Sequence, residues 1–224
     1  MSKMALFHGS TEVIDKPFHG GGRMYNDYGM GFYCTEHIEL AREWACTESK
    51  KGYVNKYEID VSGLKVLDLE SEEYTILHWL SILIENRNIQ LQSPVIARGK
   101  EWIGKNFSVD VSKYDLVSGY RADDAYFSFA RAFLRNEITL QQLSLAMRLG
   151  ELGVQKVIRS KKAFNRVEFK GYEQVDCEDY YLRRVERNER AKRDYLKLLE
   201  QVDSGGRYLS DLMREGVSPD ELRL

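Results

Sequence analysis

The run Gly29-Met30-Gly31-Phe32-Tyr33-Cys34-Thr35 constrains the fold of this chain more than any other stretch. Glycine loses more backbone freedom on folding than any other residue. It is kept where φ must be positive or where something approaches the backbone closely. Two glycines around one residue, followed by two aromatics, predict a turn that delivers Phe32 and Tyr33 straight into a short strand. Thr35 then stands at a helix N-cap position, ahead of Glu36 and the apolar positions Ile38, Ala41 and Ala45, which predicts a helix over about 36–48.

The rest of the chain arranges itself around that loop–strand–helix unit. Residues 4–8 alternate as a strand, with Leu6 and His8 on one face and Phe7 on the other, and Gly9-Ser10-Thr11 ends it. The segment 15–31 is a loop holding Arg23, Asn26, Asp27 and Tyr28 among its glycines, and loops of this kind usually carry function. Tyr53–Val61 alternates cleanly, and with Leu64–Leu69 across Ser62-Gly63 it predicts a hairpin. Ser71 is the expected cap of a well-buried helix running to about Arg87, and residues 88–112 read as irregular.

Tyr114–Gly119 reads as a buried strand, and a helix begins at Ala122-Asp123-Asp124, where paired aspartates suit the positive end of its dipole. Thr139 and Gln142 form a capping box, Ile138 and Leu143 a staple, and Gly150 closes that helix. Val154–Ile158 and Arg166–Lys170 read as a last strand pair. Hairpins outnumber crossovers, so the pattern predicts an α+β fold with a mixed or antiparallel sheet. From Glu178 to about Val202 runs a long helix of interspersed charges with a thin seam of Leu182, Val185, Tyr195, Leu198 and Leu199, and Ser218-Pro219 starts a last helical piece. The expected division is a domain over 1–175 and a charged helical extension over 176–224.

With 224 residues, enough core can be buried for such a domain, and a net charge of −2 gives no global field toward nucleic acid. Cys34, Cys46 and Cys177 are too few and scattered for a disulfide framework or a zinc site, so reduced thiols in a cytoplasmic protein are expected. His19, His37 and His78 lack ligand spacing, and no metal is expected. No apolar run is long enough for a bilayer, so no membrane partner is expected.

Three blocks together carry a resemblance: Phe7-His8-Gly9-Ser10, then Asp27 to Thr35 reading D-Y-G-M-G-F-Y-C-T, then Tyr114 to Asp124. In this order and spacing the chain resembles the ADP-ribosyltransferase superfamily over roughly residues 4–170, more narrowly a bacterial branch carrying these blocks. The resemblance implies a split mixed or antiparallel sheet flanked by helices, and NAD as co-substrate. It implies that His8 binds the nicotinamide ribose and that Tyr33 stacks on nicotinamide. The third position, usually Glu, falls on Gln155 at the edge of a late strand. Gln can hydrogen-bond a ribose hydroxyl but cannot act as a general base. Asp124, or its neighbour Asp123, can then supply the missing carboxylate.

On the same resemblance Gly9, Ser10, Gly31 and Thr35 join His8 and Tyr33 around the co-substrate. Arg23, Asn26 and Tyr28 shape its pyrophosphate and adenosine side, Arg by bidentate contact. The expected activity is mono-ADP-ribosylation of a macromolecule, protein or nucleic acid, by a toxin or host-defence effector. A neutralising partner could sit on the C-terminal helices. The rival readings are an NAD glycohydrolase and a degenerate transferase fold serving as a binding or scaffold module.

Overall fold

Among the described residues, seven strands form two sheets that meet at one backbone bridge. The computed structural model describes residues 2–47, 51–87, 89, 93–122, 124–149, 153–201, 203 and 205–222. In the first sheet β1 (Lys3–Ser10), β3 (Gly52–Asp60) and β7 (Val167–Val175) lie antiparallel in the order β1-β3-β7. The second runs β2-β6-β5-β4, from β2 (Phe32–Cys34), β6 (Val154–Ile158), β5 (Leu116–Tyr120) and β4 (Val66–Asp68). Only the β4–β5 pair in it is parallel. Phe7 and Thr35 exchange both backbone hydrogen bonds, at 2.8 and 2.9 Å, and so tie β1 to the end of β2. The α+β class expected from the hairpin-rich pattern is what the chain adopts.

Helices cover both sheets: α1 (Ile38–Ala45), α2 (Ile76–Asn86), α3 (Pro94–Asn106), α4 (Asp124–Leu134), α5 (Leu140–Ala146), α6 (Lys161–Phe164), α7 (Cys177–Glu200) and α8 (Leu209–Glu215). The largest apolar cluster gathers α2, α4 and α5 against the second sheet, with Trp79, Phe129, Phe133, Leu143 and Val157 almost wholly buried. A second cluster, around Leu6, Tyr57, Ile59, Leu116 and Ile158, fills the space where the sheets face each other. A third lies under α1.

Several expectations are corrected. The helix expected over 36–48 is α1, capped at His37 rather than Thr35, because Thr35 spends its backbone on β1 and its Oγ1 on the His37 N–H. The helix after Ser71 starts at Ile76 under a Thr75 cap, where the His78 ring closes a capping box. β4 does not pair with β3 but crosses to lie beside β5, and β6 and β7 belong to different sheets, so neither expected strand pair forms. The segment read as irregular contains α3, whose buried face is only Ile96, Gly99 and Ile103. The Thr139–Gln142 box is present as expected; Gly150 lies outside the described residues.

The cysteines overturn another expectation. Cys46, just past α1, and Cys177, the first residue of α7, form a disulfide across 131 positions with Cα atoms 5.0 Å apart, and buried Cys34 is free. The same helices are joined by Arg187, whose guanidinium donates to both oxygens of buried Glu43 at 2.7–3.2 Å. Removing one partner of a buried pair costs about 3–5 kcal/mol, because the survivor is left uncompensated. The segment 176–222 thus sits against the rest of the fold: Ala191, Leu209 and Leu212 belong to the main core, and Tyr195 stacks on Phe129 at 4.2 Å.

Candidate functional site

Where β1 leaves the β1–β2 bridge, its next side chain is His8. The imidazole Nδ1 lies 2.6 Å from the Tyr33 carbonyl oxygen, and the ring stacks on Phe32 with centroids 4.5 Å apart. A carbonyl only accepts, so Nδ1 carries the proton and Nε2 keeps a lone pair. Burial lowers the His8 pKa below its ordinary 6.5, against an upward pull from the Tyr33 carbonyl. His8 therefore stands near neutral pH as an oriented, uncharged hydrogen-bond acceptor. Gly9 follows because α1 passes too close for a side chain: a Cβ there would lie 2.1 Å from the Ala41 carbonyl oxygen.

Tyr33 is held at both ends. Its carbonyl accepts the hydrogen bond from His8 Nδ1–H, while its hydroxyl donates to Gly29 O at 2.6 Å and accepts from Tyr28 N–H at 3.1 Å. Gly29 makes this possible at φ +71, a left-handed conformation that a side chain would strain. Burial keeps the Tyr33 phenol protonated well above its usual range. The ring is thereby fixed as a wall rather than offered as an acid.

The third group is built from three elements. Gln155 lies on β6, an interior strand and not an edge, at the point where β2 has already ended opposite Lys156. Its Nε2 donates to Asp27 Oδ2 at 3.0 Å and lies 3.4 Å from the Tyr120 carbonyl. Asp27, 7% exposed, also accepts from the Ala122 N–H at 2.9 Å, and its other oxygen is 3.7 Å from Arg87 Nε.

These groups line one cavity of about 770 Å³ at the split between the sheets. That size falls within the roughly 300–1,000 Å³ of small-molecule sites. Among the described lining residues are four arginines (Arg23, Arg87, Arg121 and Arg184) and one carboxylate, Asp27. Trp44 of α1 faces the cavity beneath the Arg121 guanidinium, 4.5 Å from its ring centroid, and Arg184 of α7 donates to the Cys46 carbonyl at 3.1 Å. This excess of guanidinium groups suits an anionic ligand such as a diphosphate.

Of the expected site residues, His8, Gly9, Arg23, Asn26, Gly31, Tyr33 and Gln155 line this cavity. Three lie outside it. Tyr28 is fully buried, its hydroxyl bonded to the Tyr120 carbonyl at 2.7 Å, so it is a core residue and not a wall for pyrophosphate or adenosine. Thr35 is buried in the sheet bridge, and Ser10 accepts from the Glu12 N–H at the end of β1. Asp124 opens α4; its side chain, and all of Asp123, lie outside the described residues. Sequence reasoning passed over Asp27, Arg87, Arg121, Trp44 and Arg184 as site residues. Asp27 had a signal, its place six residues before Tyr33 in the second block, whereas the others come from four separate elements. Asn55 was missed as well: buried on β3, it grips the loop through Ile14 N–H at 2.8 Å and Glu12 O at 3.1 Å.

Fold and cavity together define an α+β protein with a ligand-sized chamber between two sheets, walled by a neutral histidine, a clamped tyrosine and a Gln–Asp pair. The family model described as "Protein of unknown function (DUF3990)" matches residues 4–169, and the chain belongs to that family. No curated protein and no solved structure matches the chain.

Proposed function

We propose that the chain is an NAD-dependent mono-ADP-ribosyltransferase that modifies a macromolecular acceptor, protein or nucleic acid, as a bacterial toxin or defence effector acting in the cytoplasm. One observation carries the reading: His8 and Tyr33 are joined by a hydrogen bond and line the same cavity as Gln155.

In this reaction the bond between the ribose C1′ and the pyridinium nitrogen breaks. Its electron pair neutralises nicotinamide, and an acceptor lone pair forms the new bond to C1′ while the acceptor's proton leaves. The leaving group is already cationic and the carbon passes through an oxocarbenium-like state, so strong acid catalysis is unnecessary. The chain supplies position and electrostatics instead. His8 Nε2 accepts from a ribose hydroxyl, Tyr33 and Phe32 offer aromatic surface for the nicotinamide, and the arginines hold the diphosphate. The Gln155 carbonyl oxygen faces the developing positive charge.

Exposed Leu182, Val185, Leu196 and Leu199 on α7 favour a partner protein on the C-terminal helices, the place for a neutralising subunit. With Gln155 rather than a glutamate at the third position, water remains a competing acceptor, which is the glycohydrolase reading. Labelled NAD incubated with the protein and with cellular protein, RNA and DNA fractions separates these readings. Label fixed to one fraction supports the transferase, and nicotinamide release without fixed label supports the glycohydrolase. Calorimetry that detects no NAD binding, with no change in His8→Ala, leaves the binding or scaffold module.

A further inference from the structure

Resting on that reading, we propose that Asp27 is a positioning residue that works through Gln155: the Asp27–Gln155 pair does the ribose-polarising part of the work of a glutamate at the third position, without its general-base part. The amide orientation of Gln155 is fixed by its surroundings. Asp27 Oδ2 and the Tyr120 carbonyl both only accept, so the nitrogen must face them, and each of its hydrogens has a protein acceptor. Only Oε1 is left for a ligand. Gln155 can therefore accept a hydrogen bond from a hydroxyl but donate none.

Asp27 adds the charge. A carboxylate 3.0 Å from the amide nitrogen forms a charge-assisted bond and polarises the amide, drawing negative character toward Oε1. The carboxylate is itself held by the Ala122 N–H, and its other oxygen faces Arg87. Among the described lining residues it is the only carboxylate.

Asn at 27 isolates the charge. The Ala122 N–H and Gln155 Nε2 both donate to one oxygen, Asp27 Oδ2, so an asparagine with its amide oxygen in that place keeps both bonds and removes the carboxylate's charge. In Gln155→Ala the Tyr120 carbonyl keeps its bonds from Tyr28 Oη at 2.7 Å and Trp79 Nε1 at 3.0 Å.

The test compares full-length wild type, Asp27→Asn, Gln155→Ala and the double variant for NAD affinity by calorimetry, kcat and KM of nicotinamide release, and thermal unfolding. Asp27→Asn is expected to bind NAD within about threefold of wild type and to lose about 10²-fold or more in kcat, the scale of one lost preorganised electrostatic contact. The double variant should lie within about threefold of Gln155→Ala, because Asp27 acts through that amide and the two losses do not add. Wild-type kcat in Asp27→Asn, or a double variant that loses about the product of both factors, overturns the proposal. If Asp27→Asn does not fold, Gln155→Ala still decides, since wild-type kcat there overturns the proposal. A wild type that neither binds NAD nor releases nicotinamide overturns the transferase reading itself, and this inference with it.

Discussion

His8 enters the cavity uncharged because burial opposes the imidazolium. The sign of the resulting pH effect follows. The folded pKa lies below the unfolded value near 6.5, so His8 contributes stability that is fully present above that value and lost as pH falls through the lower folded one. Urea midpoints at about pH 7.5 and about pH 5 should differ more for wild type than for His8→Gln, and nicotinamide release should fall over the same acid range. At Tyr33 ring and hydroxyl separate. Tyr33→Phe keeps the ring but orphans the Tyr28 N–H and the Gly29 carbonyl, so it should lose about 1–3 kcal/mol in denaturant unfolding while retaining turnover. Tyr33→Ala removes the wall and should abolish turnover. These two residues were legible in the sequence because each sits in a short block whose glycines announce a special backbone. Tyr28 was misread because a tyrosine in a polar loop looks solvent-facing, whereas the Gly29 turn drives it under β5. Asp27 and Gln155 stand 128 positions apart, so nothing local linked them.

At the scale of elements, alternation and capping identified most strands and helices but not their partners. β4 was assigned to the neighbouring β3 because short connections usually join adjacent strands. The structure instead places it on β5, with Asp115 reaching back to the Lys65 N–H at 2.8 Å. α3 gave little signal because its buried face needs few apolar residues: Gly99 lets Leu209 of α8 approach until a Cβ would lie 2.6 Å from that side chain. The cysteine pair could not be inferred from spacing, since the fold itself brings the two ends together. Thiol titration of the denatured, unreduced protein should find one free thiol, from Cys34, and three after reduction. Cys177→Ser should lower the unfolding free energy by about 2–5 kcal/mol in denaturant titration, since the bond closes a long loop. Three free thiols before reduction would remove the bond and restore the reduced-thiol expectation.

At the scale of the whole molecule, the two sheets share one narrow join, at Phe7 and Thr35, and the helices brace it from outside. No helix among the described residues is long and apolar enough to cross a membrane. Ending the chain at Val175 would strip Tyr195 from Phe129 and Leu209 and Leu212 from the core. Such a truncation should bind a hydrophobic dye and lose its sharp thermal transition, and a fully cooperative 1–175 fragment would show that the tail is dispensable to folding. Full-length protein should melt in one transition by calorimetry. α7 has a double situation: Arg184 faces the chamber, while Leu182 and Val185, on the same turn, face solvent. A molecule that grasps the outer stripe and displaces this rod would shift the occupancy of the inner compartment with it, and reciprocally so. Inhibition by that route would need no access to the opening and would act from behind.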